Sequence, residues 1–277
     1  MPELPEVETV ARELRPRLVG KRIVSIRVGK KSLRKPWARG WTAKIRYRKV
    51  EAVLRRGKWV LLNLHDLRCL VFHLGMTGRL TVHTADEPLP PHTHLTFKLE
   101  DGNELRFTDI RRFGSATLMP NSAALERFFV ASRLGPEPFD VGSVYWRERL
   151  AATKRCLKAV LLDQTVLAGI GNIYADESLF EARVHPARSA RGLERTDAEC
   201  LRKAVVRVLH RAIERRGSSI RDYVGGSGVR GRYQEEFRVY GRTGKPCRRC
   251  RTPIERIRLA GRSTHYCPHC QGGVAGC

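Results

Sequence analysis

Apolar and polar residues alternate along most of the chain up to about residue 130, which is the pattern of half-buried β-strands. The clearest strand segments are 21–30, 60–64 and 69–75. The runs LTFKLE and ELRFTD, joined by DGN, predict a β-hairpin with Gly102 in its turn. One helix is expected ahead of the strands, from about Glu6 to Leu18, because its first turn is acidic and a glycine follows its end.

The pattern becomes helical after a segment rich in proline and turn-forming residues, 132–140. The runs YWRERLAA, KRCLKAVLLD and NIYADESLFEA predict three short helices. The strongest helical pattern begins at Thr196, where we predict a capping box with Glu199, and ends at Gly217. Its apolar face is formed by Leu201, Val205, Val208, Leu209, Ala212 and Ile213. We therefore expect an α+β multidomain protein, divided into 1–131, a linker 132–140, 141–240 and 241–277.

The net charge of the chain indicates the kind of partner that it binds. The chain has 53 Lys and Arg against 28 Asp and Glu, a formal net charge of +25. Such an excess favours a polyanionic partner, although a generally basic proteome would also raise it. Between Arg242 and Arg262 there are eight basic residues and one acidic residue, so part of the excess is local. Charge does not separate DNA from RNA, or an enzyme from a binding protein.

No apolar run approaches the length of a membrane span. The first ten residues, MPELPEVETV, include three glutamates and lack the apolar core of a signal peptide. We therefore expect a cytoplasmic protein with no membrane partner.

Four cysteines form the pattern C-x2-C-x16-C-x2-C near the end of the chain. Two such pairs, joined by a hairpin, bring four thiolates around one ion and leave no open coordination position. The pattern predicts one structural Zn²⁺ in a zinc ribbon, and reduced cysteines without metal are the alternative. The ligands are Cys247, Cys250, Cys267 and Cys270, whereas His265 and His269 are expected outside the ligand set. Zinc ribbons occur in many DNA and RNA proteins, so this module leaves the function open.

The segment GIGNIYADESLF contains a second candidate site. Asn172 stands where a helix would begin, and free N–H groups at a helix start suit a phosphate. Lys154, Arg155 and Lys158 are expected on the preceding helix and would reinforce such a site. An ordinary turn with a capping asparagine explains the same residues, and the segment alone does not decide between them.

The N-terminus offers nucleophilic chemistry. Removal of Met1 would expose Pro2 as a secondary amine. An α-amino group has a pKa of ~7.7–8.0, so part of it is unprotonated at neutral pH. Such an amine forms imines, and a proline adduct is a cationic iminium that accepts electrons. Glu3 and Glu6 are candidate acid, base or orienting groups. A disordered tail that leads into a helix is the alternative reading of these residues.

Seven motifs stand in one order from residue 2 to about 270: MPELPEVETV, RRGKWVLL, HLGMTG, TDIRRFG, GIGNIYADESLF, VYGR and the four-cysteine ribbon. This series resembles the formamidopyrimidine-DNA glycosylases. The resemblance implies a β-sandwich N-terminal domain with an N-terminal helix, a helix-two-turns-helix domain and a C-terminal zinc ribbon. Ile110 departs from the family, which usually has proline there, and this puts the shape of the following loop in doubt.

The resemblance also implies residue roles. Pro2 would attack C1′ of the damaged nucleotide, Glu3 would donate a proton to the sugar ring oxygen, and Glu6 would hold the nucleophile. Lys58 would contact the phosphate next to the lesion. The gap left by the extruded base would be filled by Met76, Arg111 and Phe113.

Further DNA phosphate contacts carry over to Asn172 and to Arg262, which we count with the catalytic set, and Lys154 is an expected DNA contact. The segment 218–233 corresponds to a loop that closes over the flipped base. The implied enzyme removes oxidised purines from duplex DNA and cuts the abasic site by β,δ-elimination. We expect it to act as a monomer at the nucleoid.

Two alternatives remain at this stage. Endonuclease VIII-like glycosylases, which act on oxidised pyrimidines, typically begin PEGPE, whereas Leu4 stands in this chain. A non-enzymatic zinc-ribbon protein that binds nucleic acid would share the charge, the ribbon and the phosphate loop. It would leave Pro2, Glu3 and Lys58 unexplained.

Overall fold

The computed structural model describes residues 1–218 and 231–272. The chain divides into two compact units. The first comprises Met1–Ser132, joined by the described residues between Arg215 and Arg232, and the second comprises Arg133–Glu214 and the described chain from Tyr233 onward. The division into 1–131, 132–140, 141–240 and 241–277 stays a prediction. The structure adds that the residues following the long helix pack with the first unit.

The first unit is built on two four-stranded antiparallel sheets. One sheet has the order β1-β6-β7-β5 and the other the order β2-β3-β4-β8. The strands are β1 (Ile23–Val28), β2 (Val50–Arg56), β3 (Trp59–Leu64), β4 (Cys69–His73), β5 (Arg79–His83), β6 (Thr93–Leu99), β7 (Glu104–Thr108) and β8 (Ser115–Met119). Gly102, at φ +86°, lies in the turn of the predicted β6–β7 hairpin, which is confirmed.

The core of this unit lies between the sheets. Phe72 on β4 meets Phe97 on β6 and Phe107 on β7 edge to face, with ring centroids 6.0 and 5.7 Å apart. All three rings are fully buried, as the alternating pattern requires of inward-facing positions. The predicted first helix is α1 (Leu4–Leu18), and it packs against β2 and β3.

Two helices of this unit were not predicted. One is α2 (Trp41–Ile45), and the other is α3 (Ser122–Ala131). The Asn121 side chain caps α3 by accepting a hydrogen bond from the Ala124 amide. Its apolar residues Leu125, Phe128 and Phe129 pack, partly buried, against β3 and β4, and the helix is only ten residues long, so its apolar pattern is short.

The second unit contains the helical part of the chain and the cysteine module. Its elements are α4 (Ser143–Ala151), α5 (Leu157–Leu162), α6 (Asn172–Glu181), α7 (Arg195–Glu214), β9 (Glu255–Leu259), β10 (Arg262–Tyr266) and α8 (Pro268–Gln271). The three predicted short helices are α4, α5 and α6. The expected hairpin between the cysteine pairs is β9–β10, in which Arg262 pairs with Leu259. None of the described helices combines the length and the apolar content needed to cross a membrane.

The capping box predicted for the long helix is wrong. Helix α7 begins at Arg195, so Thr196 already lies inside it. The Glu199 carboxylate instead accepts from Arg202 at 2.6 and 2.9 Å. The Glu199 side chain is therefore engaged in an ion pair along the helix and does not cap the helix start.

Candidate active site

The N-terminal residues are held inside the first unit. Pro2 is buried, and Met1 ahead of it is exposed. Glu3 is the N-cap residue of α1, and its amide donates to Glu6 Oε2 at 2.8 Å. This bond fixes the backbone next to Pro2, so the segment is an ordered part of the unit and the disordered-tail alternative is wrong.

Glu6 connects the start of α1 to the chain that follows α7. Its Oε1 accepts from the Ser218 amide at 2.7 Å and from the Ser218 hydroxyl at 3.0 Å. Gly217 approaches so closely that a Cβ there would lie 2.8 Å from Glu6 Oε1, and its φ of +73° also favours glycine. A buried carboxylate that accepts several N–H and O–H bonds is fixed in one orientation. The predicted role of Glu6 as a support for Pro2 fits this position.

Lys58 lies in the two-residue turn between β2 and β3, where Arg56 pairs with Trp59. Gly57 occupies the first turn position at φ +55°, which a tight hairpin requires. The Lys58 side chain is 7% exposed. The sequence did not show that this lysine is buried.

His73, at the end of β4, is a residue that the motif reading passed over. Burial, with a smaller contribution from the charges of Lys58 and Arg34, lowers its pKa to about 4. Its Nδ1 accepts from the Gly75 amide at 3.1 Å, so the neutral ring carries its hydrogen on Nε2. A neutral imidazole N–H beside a lysine can donate to a phosphate oxygen. The HLGM motif contained this residue, and its polarity at a strand end was the available signal.

Met76, Arg111 and Phe113 are exposed on two loops of the first unit. Met76 follows β4, the other two precede β8, and the Arg111 guanidinium lies 4.5 Å from the centre of the Phe113 ring. Exposed large apolar side chains on connecting loops favour a contact surface over a core. Met76 and Phe113 are therefore surface residues, although apolar residues of these types more often lie in a core.

Asp109 holds these two loops together. Its carboxylate is buried and accepts from the Thr77 hydroxyl, from the Arg111 amide at 3.2 Å and from the Gly114 amide at 2.7 Å. A Cβ on Gly75 would lie 2.6 Å from the Gly114 nitrogen, so the loops meet backbone to backbone. None of these contacts involves residue 110, so the loop keeps its bonds with isoleucine in place of the usual proline.

A cleft of about 580 Å³ opens beside this loop pair. It is lined by Ser32, Leu33, Arg34, Arg111, Arg112 and Phe113. Three arginines around one cleft make its surface strongly positive, which suits a phosphate backbone.

Asn172 begins α6 in the second unit, as expected. Its Nδ2 donates to the Ser263 carbonyl at 2.9 Å, so the start of α6 lies against the strand that Arg262 begins. Arg262 itself is exposed, next to a tight turn at Ala260 and Gly261. The two predicted phosphate contacts are thus brought close together within one unit.

The prediction that Lys154, Arg155 and Lys158 lie on α5 and reinforce the phosphate site at Asn172 is wrong in two respects. Helix α5 begins at Leu157, so Lys154 and Arg155 precede it in an exposed connection. Lys158 is completely buried and pairs with Asp176 at 2.6 Å. Its charge is therefore neutralised inside the protein. Arg155 pairs with Asp163 at 2.8 Å, so Lys154 is the residue of these three best placed to face an external anion.

The four cysteine sulfur atoms lie within 4.8 Å of one another. The sulfur atoms of Cys247 and Cys270 are 3.9 Å apart, and those of Cys250 and Cys267 are 3.4 Å apart. Four thiolates on one tetrahedral Zn²⁺ would be about 3.8 Å apart, so these residues fit the ion. The cluster contains no histidine. The His265 ring instead contacts Asp176.

Most of the predicted loop, residues 219–230, lies outside the described residues. The other predicted residues divide between the units: Pro2, Glu3, Glu6, Lys58, Met76, Arg111 and Phe113 lie in the first, and Lys154, Asn172, Arg262 and the four cysteines lie in the second.

Three family models match the chain. They are the formamidopyrimidine-DNA glycosylase N-terminal domain over 1–116, the formamidopyrimidine-DNA glycosylase H2TH domain over 134–224, and a zinc finger found in FPG and IleRS over 244–272. The zinc finger match agrees with the cysteine geometry, and the protein has one structural zinc site.

Curated relatives match along nearly the whole chain. A formamidopyrimidine-DNA glycosylase of Heliobacterium modesticaldum is 48% identical and covers 98% of this chain and 100% of its own length. One from Geobacillus kaustophilus is 45% identical with the same coverage.

Solved structures agree with these relatives. A Lactococcus lactis FPG mutant in complex with a Fapy-dG containing DNA has a TM-score of 0.91 at 37% identity, covering 98% of this chain and 100% of its own. MutM in complex with carbocyclic 8-oxo-G containing DNA has a TM-score of 0.90 at 37% identity, with the same coverage.

The sheet domain, the helix-two-turns-helix domain and the zinc finger together define a DNA glycosylase of the base excision repair class. Within that class, the chain belongs to the formamidopyrimidine-DNA glycosylase family, whose enzymes are both glycosylases and AP lyases.

Proposed function

We propose that this enzyme removes oxidised purines, namely 8-oxoguanine and formamidopyrimidines, from duplex DNA and then cuts the abasic site by β,δ-elimination. The observation that carries the proposal is the order imposed on the N-terminus. Glu6 joins the Glu3 amide to Ser218, so the backbone next to Pro2 is held in place. An amine held in this way meets the positional demand of nucleophilic catalysis.

The chemistry begins once Met1 has been removed. The lone pair of the Pro2 nitrogen forms a bond to C1′, and the base departs with the electrons of its glycosidic bond. The Pro2 nitrogen then loses its proton, which balances the proton that the base gains. Glu3 protonates the ring oxygen as the sugar opens, which leaves a cationic iminium.

The iminium then acts as an electron sink. A proton leaves C2′, and the C3′–O bond breaks with its electrons going to the departing phosphate. Loss of a second proton, from C4′, expels the 5′ phosphate, and water releases the sugar fragment from Pro2. The bound zinc stabilises its hairpin, and each step above uses only Pro2, Glu3 and solvent.

Placement of the DNA falls to the cationic and polar residues. Lys58, Lys154, Asn172 and Arg262 contact phosphates, and this contact is independent of base sequence. Met76, Arg111 and Phe113 fill the space of the extruded base, which offsets part of the few kcal/mol lost on unstacking. The Nε2–H of His73 is suited to donate to a phosphate beside Lys58.

We further infer that the enzyme acts as a monomer without a membrane partner, because the damaged duplex supplies the charge complement for its basic surface. Its site of action is the cytoplasm, at the nucleoid, where chromosomal lesions arise.

Borohydride trapping on lesion-containing DNA tests the nucleophile. Reduction makes the iminium permanent, so the wild-type enzyme becomes covalently attached, whereas Pro2→Gly and Glu3→Gln lose most of the adduct. Pro5→Ala, a nearby proline without an amine, is the matched control. Equal trapping in all variants would contradict the assignment, and the non-enzymatic alternative predicts no adduct in wild type. Mass analysis of the N-terminus checks that Met1 has been removed.

A second candidate substrate is an oxidised pyrimidine. A Lactococcus lactis FPG that is 36% identical to this chain has been solved in complex with an oxidized pyrimidine containing DNA. We expect faster cutting of an 8-oxoguanine:C duplex than of a thymine-glycol duplex. The opposite order in single-turnover assays would move the proposal to the pyrimidine lesion.

A further inference from the structure

Asp176 is a buried acidic residue in a strongly basic protein, and the mechanism above does not use it. It lies on α6 with no exposed surface. Its Oδ1 accepts from Lys158 Nζ at 2.6 Å. Its Oδ2 accepts from the His265 amide at 3.0 Å and contacts His265 Nδ1 at 3.1 Å. One carboxylate thus joins α5, α6 and the zinc hairpin.

A second connection lies one helical turn earlier. The Asn172 side chain donates to the Ser263 carbonyl at 2.9 Å, and Lys158 donates to the Asn172 carbonyl at 2.9 Å. Residues 172 and 176 are about 6 Å apart along a helix, at 1.5 Å per residue. Residues 263 and 265 are about 6.6 Å apart along a strand, at 3.3 Å per residue. The spacings match, so the two connections together fix the register of β10 against α6.

Buried ion pairs contribute little to stability compared with apolar packing, but they can specify one arrangement. Apolar packing would allow β10 to slide along α6, whereas the directional bonds of Asp176 hold one register. Arg262 is the first residue of β10, directly before Ser263. Its distance from the start of α6 therefore depends on this register.

We propose that Asp176 is a positioning residue for DNA binding, which sets Arg262 relative to Asn172 so that both reach phosphates of one strand. This inference rests on the proposed role of Arg262 and Asn172 as phosphate contacts. In the neutral variant Asp176→Asn, the amide oxygen accepts from Lys158 and the amide N–H turns toward the His265 amide, so donor faces donor and the connection between residue 176 and His265 is lost.

The test is a double-mutant cycle read as DNA affinity. Asp176→Asn, Arg262→Ala and the double variant are titrated with a duplex that carries a tetrahydrofuran abasic analogue, over a range of salt concentrations. We expect each single variant to lose about three- to tenfold in affinity, the range of a displaced contact. Each should also lower the salt slope by about 0.9, the loss of one phosphate contact. In the Arg262→Ala background, Asp176→Asn should retain less than half of its effect on log Kd, because the contact that it displaces is already absent.

Asp197→Asn is the matched control. Asp197 is a buried aspartate on α7, in the same unit. It pairs with Arg188 at 2.7 Å, and neither residue belongs to the β9–β10 hairpin. We expect its salt slope to equal that of wild type. A slope lowered equally in both aspartate variants would make the effect a general loss of stability and would overturn the proposal.

The outcomes separate the inference from the proposed function. If Arg262→Ala leaves affinity and slope unchanged, the assigned phosphate contact is wrong, and the positioning role is wrong with it. If Arg262→Ala weakens binding and Asp176→Asn does not, or if the two losses add fully, only the positioning role is wrong.

A milder variant covers the case in which Asp176→Asn fails to fold, as judged by zinc content and circular dichroism. His265→Phe removes one bond to Asp176 and keeps a ring against Tyr240, whose centroid lies 5.1 Å from that of His265. We expect a smaller affinity loss of the same kind, which Arg262→Ala again suppresses. A loss that persists in that background would overturn the proposal.

Discussion

At the scale of single residues, the site depends on close contacts that the sequence does not display. Glu6 was assigned a supporting role by its motif, but only the structure shows that it joins α1 to Ser218. The sequence pattern predicted that Gly217 ends the long helix. The structure shows that Gly217 also lies directly against the Glu6 carboxylate. One residue thus ends a helix and leaves room for a buried charge.

Gly217→Ala should slow iminium formation. The new Cβ would meet Glu6 Oε1 at 2.8 Å, and a left-handed φ costs a non-glycine residue about 1–2 kcal/mol. Gly102→Ala is the control, because Gly102 has φ +86° with no atom within 4 Å of the added Cβ. Single-turnover trapping should therefore slow in the first variant and stay near wild type in the second. Equal rates in both would show that the contact with Glu6 is unimportant.

His73 predicts a dependence of stability on pH. Its folded-state pKa of about 4 lies below the unfolded value of about 6.5. The unfolded chain therefore binds the proton more readily, and the free energy of unfolding falls as the pH drops from about 6.5 to about 4.

His73→Asn removes the titrating ring, so it should lose less stability across that window. Urea unfolding at pH 7 and at pH 4.5 measures both proteins. An equal decrease in wild type and variant would contradict the assigned pKa.

At the scale of elements, two pairs of segments carry the residues that we propose to contact DNA. The loops after β4 and before β8 meet through Asp109, and β10 meets α6 through Asp176. In each pair, a buried aspartate accepts a hydrogen bond from a segment that is distant in sequence: Asp109 from the Thr77 hydroxyl, and Asp176 from the His265 amide.

Asp109→Ala should separate extrusion of the base from the later chemistry. Without the carboxylate, the Gly114 amide and the Thr77 hydroxyl lose their acceptor, and the bond between the Arg111 amide and the Thr77 hydroxyl is left to hold the loops that present Met76 and Phe113. Excision of 8-oxoguanine should fall about tenfold or more, since a lost charge-assisted bond is worth about 1.5–3 kcal/mol. Cleavage of a preformed abasic site should change little, because no base is extruded. A parallel fall in both activities would contradict this division.

The zinc hairpin should depend on its cysteines for its fold. Cys250→Ser removes one of the four ligands, so the ribbon should lose zinc and DNA affinity together. Cys156→Ser, at a cysteine outside the cluster, is the control and should retain both. Zinc content by atomic absorption and duplex binding by anisotropy provide the readings. Full affinity in a zinc-free variant would refute the role of the ribbon in binding.

At the scale of the whole molecule, the net charge of +25 should dominate affinity for any duplex. Binding should weaken steeply with salt, with log Kd changing by about 0.9 per log unit of salt for each phosphate contact. Arg262→Ala should lower that slope by about 0.9, the contribution of one phosphate contact, for damaged and undamaged duplexes alike. Anisotropy titrations between low and physiological salt measure it, and salt-insensitive binding would contradict the electrostatic account.

The sequence by itself determined the class of most elements, with α2 and α3 as exceptions, and its motifs indicated the chemistry. Alternation predicted the sheets and the β6–β7 hairpin, the helical period predicted α4 to α7, and cysteine spacing predicted the zinc cluster. These features depend on residues close in sequence, so local patterns are enough to find them.

The tertiary structure alone decided which charges face the DNA and which are buried. Lys158 looked like a phosphate ligand and is paired with Asp176, whereas His73 looked ordinary and lies beside Lys58. The packing of distant segments sets burial and pairing, and no local pattern records which segments meet. The contacts of Glu6, Asp109 and Asp176 follow the same rule, since each joins parts of the chain that only folding brings together.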